Sequence, residues 1–311
     1  MTAMLALGAV AQPWPQRPLR LVVPNAPGGG SDTVARVLSE RLAPALGQPV
    51  VVENRAGAGG RQAAEFVAKS PADGYTLLLG TGATLITARA LYSRLGYDPA
   101  KSFAPVSLLG LTAYLLVVHP SVPATGVKQL IALARTRSHA LNYASTGAGS
   151  PSHLAAEMFK SITAIPLNHV PYKGSAPGTL SVMQGETDLM FSNLVVALPH
   201  VQSRRFRALG ISSTQRSPLT PQTPTIAETG LPGFEVLQFY SLVVPAGTGE
   251  IIIRRLNDEI MKHFPDTETR RQLAAQGAEI RVSTPAELAS LNTRETAKWN
   301  AVIQYAGIQP E

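Results

Sequence analysis

The sequence predicts an α/β protein of two lobes, each a mainly parallel sheet flanked by helices, with a ligand cleft between them. Three observations predict it. A short apolar strand runs into a Gly/Ser/Thr loop and then toward a helix at five places. Strands and helices alternate in two blocks, at the spacing of parallel strands joined by crossover helices. Two apolar runs, at 109–118 and 236–244, stand where the chain would leave the first block and return to it. Two crossings between lobes make a hinge, with the ligand held between the lobes. A chain of 311 residues suits two domains better than one core.

The first block opens with the apolar strand Leu19–Val23, which enters Pro24-Asn25-Ala26-Pro27-Gly28-Gly29-Gly30. Ser31 or Asp32 can cap a helix reaching Leu42, with Val34, Val37, Leu38 and Leu42 on one face. A strand at 50–53, glycines at 57–60 and a helix reaching Lys69 follow. Pro71-Ala72-Asp73-Gly74 makes a turn into a strand at 75–79, which enters Gly80-Thr81-Gly82-Ala83-Thr84.

The second block begins after an apolar strand at 115–119 with a helix at 127–135. A strand at 141–144 enters Ser145-Thr146-Gly147-Ala148-Gly149-Ser150 and a helix at 152–161. A strand at 167–170 enters Lys173-Gly174-Ser175 and a helix at 176–184. A strand at 188–191 enters Ser192-Asn193, and another strand spans Arg207–Ile211. The Pro-, Thr- and Gly-rich stretch 220–233 reads as a loop. Three helices follow the second apolar run, at 250–263, 266–276 and 285–306. Thr284 caps the last, with Pro285 at its first position. With no repeat left for a third domain, these helices are expected to return to the first lobe. The expected division is 12–112 with 238–311 as lobe 1, and 113–237 as lobe 2.

The five loops share one chemistry. Glycines let the backbone come close to a ligand. Helix N-termini offer unpaired N–H groups and a positive dipole end. Several such loops facing one cleft make a receptor for a small anion that needs no cationic side chain.

Lys and Arg number 27 against 20 Asp and Glu, a net charge of +7. The basic residues are scattered, with only short clusters such as Arg204-Arg205-Phe206-Arg207, and no nucleic-acid motif accompanies them. No nucleic-acid partner is expected; such a surface suits anionic solutes or an acidic partner. Zero cysteines exclude disulfides, thiolate catalysis and Cys-ligated metals. Residues 4–11 are small and apolar, and Ala9-Val10-Ala11 has the form of a signal-peptidase site, although no positive n-region precedes it. Residues 1–11 read as the remnant of an export signal, or alternatively as a buried helix.

Catalytic constellations are missing. There is no P-loop, no G-x-S-x-G elbow and no H-E-x-x-H. The glycines at 57–60 do not complete a dinucleotide fingerprint, because Gln62 stands at its final position. His153 and Glu157, four apart on a helix, are a helix-start pair before they are a metal site. No catalytic residue, cofactor or metal is expected. Asp32 is either a helix cap or an acceptor at the cleft. Lys173 either meets an anion or is solvated at a loop tip. Of Phe239 and Tyr240 on the second crossing, one can form a wall of the cleft.

One resemblance spans nearly the whole chain. The opening 18–24 with Pro27-Gly28-Gly29-Gly30-Ser31-Asp32 resembles that of the Bug receptors, the extracytoplasmic solute-binding proteins of tripartite tricarboxylate transporters. The match runs in order through Val51-Val52-Glu53-Asn54-Arg55, Asp73-Gly74-Tyr75-Thr76-Leu77-Leu78, Leu141-Asn142-Tyr143-Ala144-Ser145, Val170-Pro171-Tyr172-Lys173-Gly174 and Ala227-Glu228-Thr229-Gly230-Leu231-Pro232-Gly233-Phe234-Glu235. The resemblance implies a monomeric periplasmic receptor of the type II binding-protein fold. It would close like a flytrap on a small carboxylate, held by backbone amides, hydroxyls and waters. It would hand the ligand to membrane permease subunits, or alternatively serve a sensor protein; an enzyme using the loops for a phosphate or cofactor is the weaker alternative. Carried onto this chain, the ligand contacts are Ala26, Gly28, Ser31, Asp32, Thr81 and Thr84 in the first lobe. In the second they are Ser145, Thr146, Gly149, Ser150, Lys173, Ser175 and Asn193. The chain departs from the family at Asn25, Arg61 and Ser192, where an aromatic, an Asn and an Asp are usual.

Overall fold

The computed structural model describes residues 14–310 except Gln276. The expected signal remnant at 1–11 lies outside the described residues. The fold is a two-lobed α/β architecture in which two sheets share a strand. In the first sheet, β1 (Leu19–Val23) lies between β2 (Val50–Asn54) and β3 (Thr76–Thr81), all parallel. In the second, β5 (Leu141–Ser145) lies between β6 (Leu167–Pro171) and β7 (Leu189–Asn193), again parallel. The shared strand is β4 (Phe103–Val118), 16 residues long. It pairs with β9 (Leu237–Pro245) from Phe103 to Ala113, then with β7 and β8 (Arg207–Ile211) through Tyr114–Val118. A short β10 (Glu279–Ile280) adds to β4 at Gly110 and Leu111.

The sheets are therefore mixed rather than mainly parallel. Only the three strands farthest out in each sheet are parallel; β9 runs antiparallel to β3 and β4. The cause is topological: β4 carries the chain out of the first sheet and β9 carries it back, so neighbours must run in opposite senses.

Among the described residues, ten α-helices cover the sheets. They are α1 (Gly30–Leu46), α2 (Arg61–Ala68), α3 (Ala88–Leu91), α4 (Val127–Thr136), α5 (Pro151–Thr163), α6 (Ser175–Gln184), α7 (Leu194–Gln202), α8 (Glu250–His263), α9 (Thr267–Ala275) and α10 (Pro285–Tyr305). Helix α1 continues past Leu42 through Pro44 and stops at Gly47, whose φ of 69° is left-handed. Helix α7 follows the Ser192-Asn193 loop, as the strand–loop–helix pattern implies, but Pro199 and an all-apolar start hide its extent in the sequence. Helix α10 begins with a full capping box between Thr284 and Glu287. It packs not only on β4 and the π-helical turn at Ala83–Thr87 but also on α5, so the last helix touches both lobes.

Two large clusters of buried side chains lie on opposite faces of the first sheet. Leu21, Leu77 and Leu79 meet α1 and α8 through Leu38, Leu42 and Leu256. On the other face Val22 and Leu78 begin a core that continues through Leu116 into the second lobe. There Phe159, Phe191 and Phe234 pack with ring centroids 5.7–6.1 Å apart. Burying each such ring contributes about 1.5–3 kcal/mol. Among the described residues no helix is long and apolar enough to cross a membrane.

Candidate ligand site between the lobes

A cavity of about 650 Å³ lies at the strand ends between the lobes. Its walls come from helix starts. Gly28, Gly29, Gly30 and Ser31 precede or begin α1; Thr81 ends β3, and Ala83 and Thr87 belong to the turn after it. Thr146, Gly149 and Ser150 come from the β5–α5 loop, Ser152 from the first turn of α5, Gly174 and Ser175 from the start of α6, and Asn193 from the start of α7. Tyr114, Gln238 and Tyr240 contribute from the two crossing strands. Among the described residues, no Asp, Glu, Lys, Arg or His lines it. The dipole at a helix start favours a nearby anion by about 0.3–1 kcal/mol.

The helix starts are not equivalent. Ser150 Oγ accepts from the His153 N–H, and Asn193 Oδ1 accepts from the Val195 N–H, so α5 and α7 are capped by their own side chains. At α1 and α6 the preceding residues are Gly29 and Gly174, and no side chain caps either helix. Their first-turn N–H groups are the ones left for a ligand.

The structure brings together Gly28, Ser31, Thr81, Thr146, Gly149, Ser150, Ser175 and Asn193 among the expected contacts. Ala26, Asp32, Thr84, Ser145 and Lys173 do not line the cavity. Asp32 neither caps α1 nor meets the cleft. It is buried, and its carboxylate accepts from the Gly28 N–H at 2.9 Å, Arg36 Nε at 2.9 Å and Asn54 Nδ2 at 3.0 Å. Burial alone would raise its pKa, but these hydrogen bonds outweigh that and hold it below the usual range. Asn54 also donates to the Asn25 carbonyl, so one carboxylate and one amide fix the whole loop.

Thr84 is fully buried, where its hydroxyl accepts from the Thr81 N–H at 3.0 Å. It lies under Gly60, where a Cβ would stand 2.8–2.9 Å from Pro24 Cβ and Thr84 Cγ2 at a φ of +87°. Ser145 is fully buried too, its Oγ 2.6 Å from His169 Nε2 and accepting from the Gly147 N–H at 3.1 Å. Lys173 is exposed at its loop tip. These side chains shape the loops; they do not face the space the loops enclose.

Behind the β5–α5 loop stands a buried stack that sequence spacing did not reveal. His153 and His169 are nearly parallel with centroids 4.0 Å apart, and Tyr143 stacks on His169 at 4.9 Å. His153 Nδ1 accepts from the Gly149 N–H at 2.9 Å. Burial, with the neighbouring His169 second, pushes the His153 pKa down to about 4, and burial lowers that of His169 as well. Glu157 accepts from the Tyr143 hydroxyl at 2.6 Å and pairs with Lys160. His153 and Glu157 thus serve separate partners, and among the described residues no cluster has the makings of a metal site.

Tyr240, not Phe239, forms the aromatic wall; Phe239 belongs to the core. Of the positions that depart from the family, Asn25 and Ser192 line the cavity. Arg61 instead lies over the Tyr92 ring at 3.6 Å and donates to the Ala58 carbonyl. A second concavity of about 720 Å³ on the first lobe is an open groove whose charges are already paired, Arg17 with Asp73 and Lys69 with Glu65.

Comparison with known proteins places this geometry. The profile of the tripartite tricarboxylate transporter family receptor, TctC, matches residues 34–308. Protein BugT of Bordetella pertussis is 36% identical over 307 residues, covering 98% of this chain and 94% of that protein. The structure of R. palustris Rpa4515 with adipate is 37% identical, with a TM-score of 0.85 over 96% of this chain and 100% of that one. MatC (Rpa3494) from Rhodopseudomonas palustris, solved with bound malate, is 34% identical, with a TM-score of 0.79 over 93% of this chain and 100% of that one. The chain belongs to the tripartite tricarboxylate transporter family of receptors.

Proposed function

We propose that this chain is a periplasmic receptor that captures a small carboxylate between its lobes and delivers it to the membrane subunits of a tripartite transporter, without catalysing a reaction. The observation that carries the reading is the cavity itself. It is walled by helix starts from both sheets, two of them uncapped, and, among the described residues, by no charged side chain. Such a wall stabilises an anion. The relatives solved with adipate and malate support a carboxylate as the anion.

The division into 12–112 with 238–311, and 113–237, is part of the proposal. The change of partners on β4 between Ala113 and Tyr114, and the start of β9 at Leu237, support it. Helix α10 then bridges the two lobes rather than serving the first alone. The test is a thermal-shift screen of mono- and dicarboxylates on ligand-stripped protein. A true ligand stabilises by about 2.7 kcal/mol at a hundredfold excess over its dissociation constant. A screen in which no carboxylate moves the transition would sink the proposal.

A further inference from the structure

Tyr240 is 4% exposed and belongs to the buried cluster that holds Val23, Val34 and Leu79. Strand β9 sets it between Thr81 of β3 and Gly110 of β4, so its backbone is fixed on both sides. The tip of the side chain reaches the start of α1. A Cβ on Gly30, the first residue of that helix, would stand 2.5 Å from Tyr240 Oη and 3.4 Å from its Cζ. Gly30 is not among the glycines with a left-handed φ. Its lack of a side chain therefore serves space: it admits the tyrosine hydroxyl to the end of the helix.

That hydroxyl is free. It has no hydrogen-bond partner among the described residues, and burial is the sole cause that raises its pKa. Nor is it one of the unpartnered polar atoms that the fold seals off, so Oη stays open to the cavity that Tyr240 lines. Tyr114, on the other crossing strand, instead donates its hydroxyl to Gln238. No side chain caps α1, so the first-turn N–H groups beside Tyr240 are unclaimed as well. Asp32, the acid of this helix start, is committed to Gly28, Arg36 and Asn54. A phenol O–H and helix N–H groups aimed at one place ask for an acceptor with several lone pairs, which an ionised carboxylate supplies.

We propose that Tyr240 is a ligand-binding residue of this site: its hydroxyl donates to the ligand carboxylate at the start of α1, and Gly30 keeps that place open for it. The inference rests on the carboxylate reading above and adds to it a side-chain donor carried on the returning strand.

The experiment is calorimetry with the mono- and dicarboxylates of the thermal-shift screen, on wild type, Tyr240→Phe, Gly30→Ala and the double variant. Tyr240→Phe keeps the ring and is expected to weaken carboxylate binding about tenfold or more. The unliganded variant melts no lower than wild type, because the hydroxyl has no partner in the protein to lose. Gly30→Ala displaces the hydroxyl and weakens binding to a similar degree. In the Tyr240→Phe background the same alanine changes affinity by less than about threefold, since both substitutions remove one interaction. Wild-type affinity in Tyr240→Phe overturns the proposal. So does a loss of affinity accompanied by a lower melting point of the free protein, which would assign the hydroxyl to the fold. Gly30→Ala costing as much in the phenylalanine background as in wild type overturns it too. These outcomes leave the receptor reading standing; an absence of binding by every carboxylate to wild type overturns both.

Discussion

The Gly149 N–H donates to His153 Nδ1 at 2.9 Å, so a residue of the cavity wall is held by a titratable ring stacked on a second one. The bond requires Nδ1 to be unprotonated. Burial, with His169 second, lowers the His153 pKa to about 4, so the ring is neutral where this bond needs it to be. A depressed pKa means that the unfolded chain binds more protons, so stability rises with pH across the interval between the two values.

Stability is therefore expected to be full above about pH 6.5 and to fall as the pH drops from there toward 4. The loss attributable to His153 is on the order of 3 kcal/mol. Urea midpoints across this range check it. His153→Gln keeps an acceptor without the titration and is expected to flatten the slope; an unchanged slope would exclude His153 as the source.

Asp32→Asn is expected to cost about 1–3 kcal/mol in stability and to weaken ligand binding without any direct contact being lost. The amide cannot accept from the Gly28 N–H, Arg36 and Asn54 together, so the loop before α1 loosens. Equilibrium unfolding and calorimetry on the same variant check both effects. Normal affinity in a destabilised protein would show that the loop holds its shape without the carboxylate.

Ser145→Ala and Lys173→Ala are expected to diverge. Removing the Ser145 hydroxyl leaves the half-buried His169 Nε2 and Gly147 N–H without this partner, at a cost of about 1 kcal/mol, and disturbs the loop that carries Thr146 and Gly149. Lys173 is exposed, and its loss is expected to change affinity by under about 1 kcal/mol. Abolished binding in Lys173→Ala alone would mean that the pocket is built on a cation.

Gly149→Ala is expected to keep the lobes apart. Its φ of +69° disfavours a side chain, and a Cβ there would stand 2.8 Å from Leu91 Cδ1 across the cleft. Small-angle scattering on wild type is expected to show a smaller radius of gyration with ligand, and on Gly149→Ala little change. Equal compaction in both would remove Gly149 and Leu91 from the closing contact.

Much of this architecture is visible in the sequence because it is local. An apolar strand, a glycine loop and a helix face announce themselves within about twenty residues, which is why β1, β5 and α5 stand where expected. The uses of individual side chains are not local. Asp32 looks like a cap because it follows glycines, yet its partners include Asn54, on another strand. Ser145 looks like a ligand contact until His169, 24 residues on, claims its hydroxyl. The spacing of His153 and Glu157 suggests a pair, but Tyr143 and His169 divide them. The length of β4 was hidden as well, since a strand that serves two sheets has no single alternation to read.

The neutrality of the cavity wall separates capture from retention. The excess of cationic side chains lies elsewhere on the chain, where it can attract an anion over several ångströms and where salt weakens it. Peptide dipoles and hydroxyls inside the cavity are shielded from that salt. Raising ionic strength then slows the arrival of the ligand while leaving its residence time nearly untouched, so a receptor of this construction loses speed in brine before it loses grip.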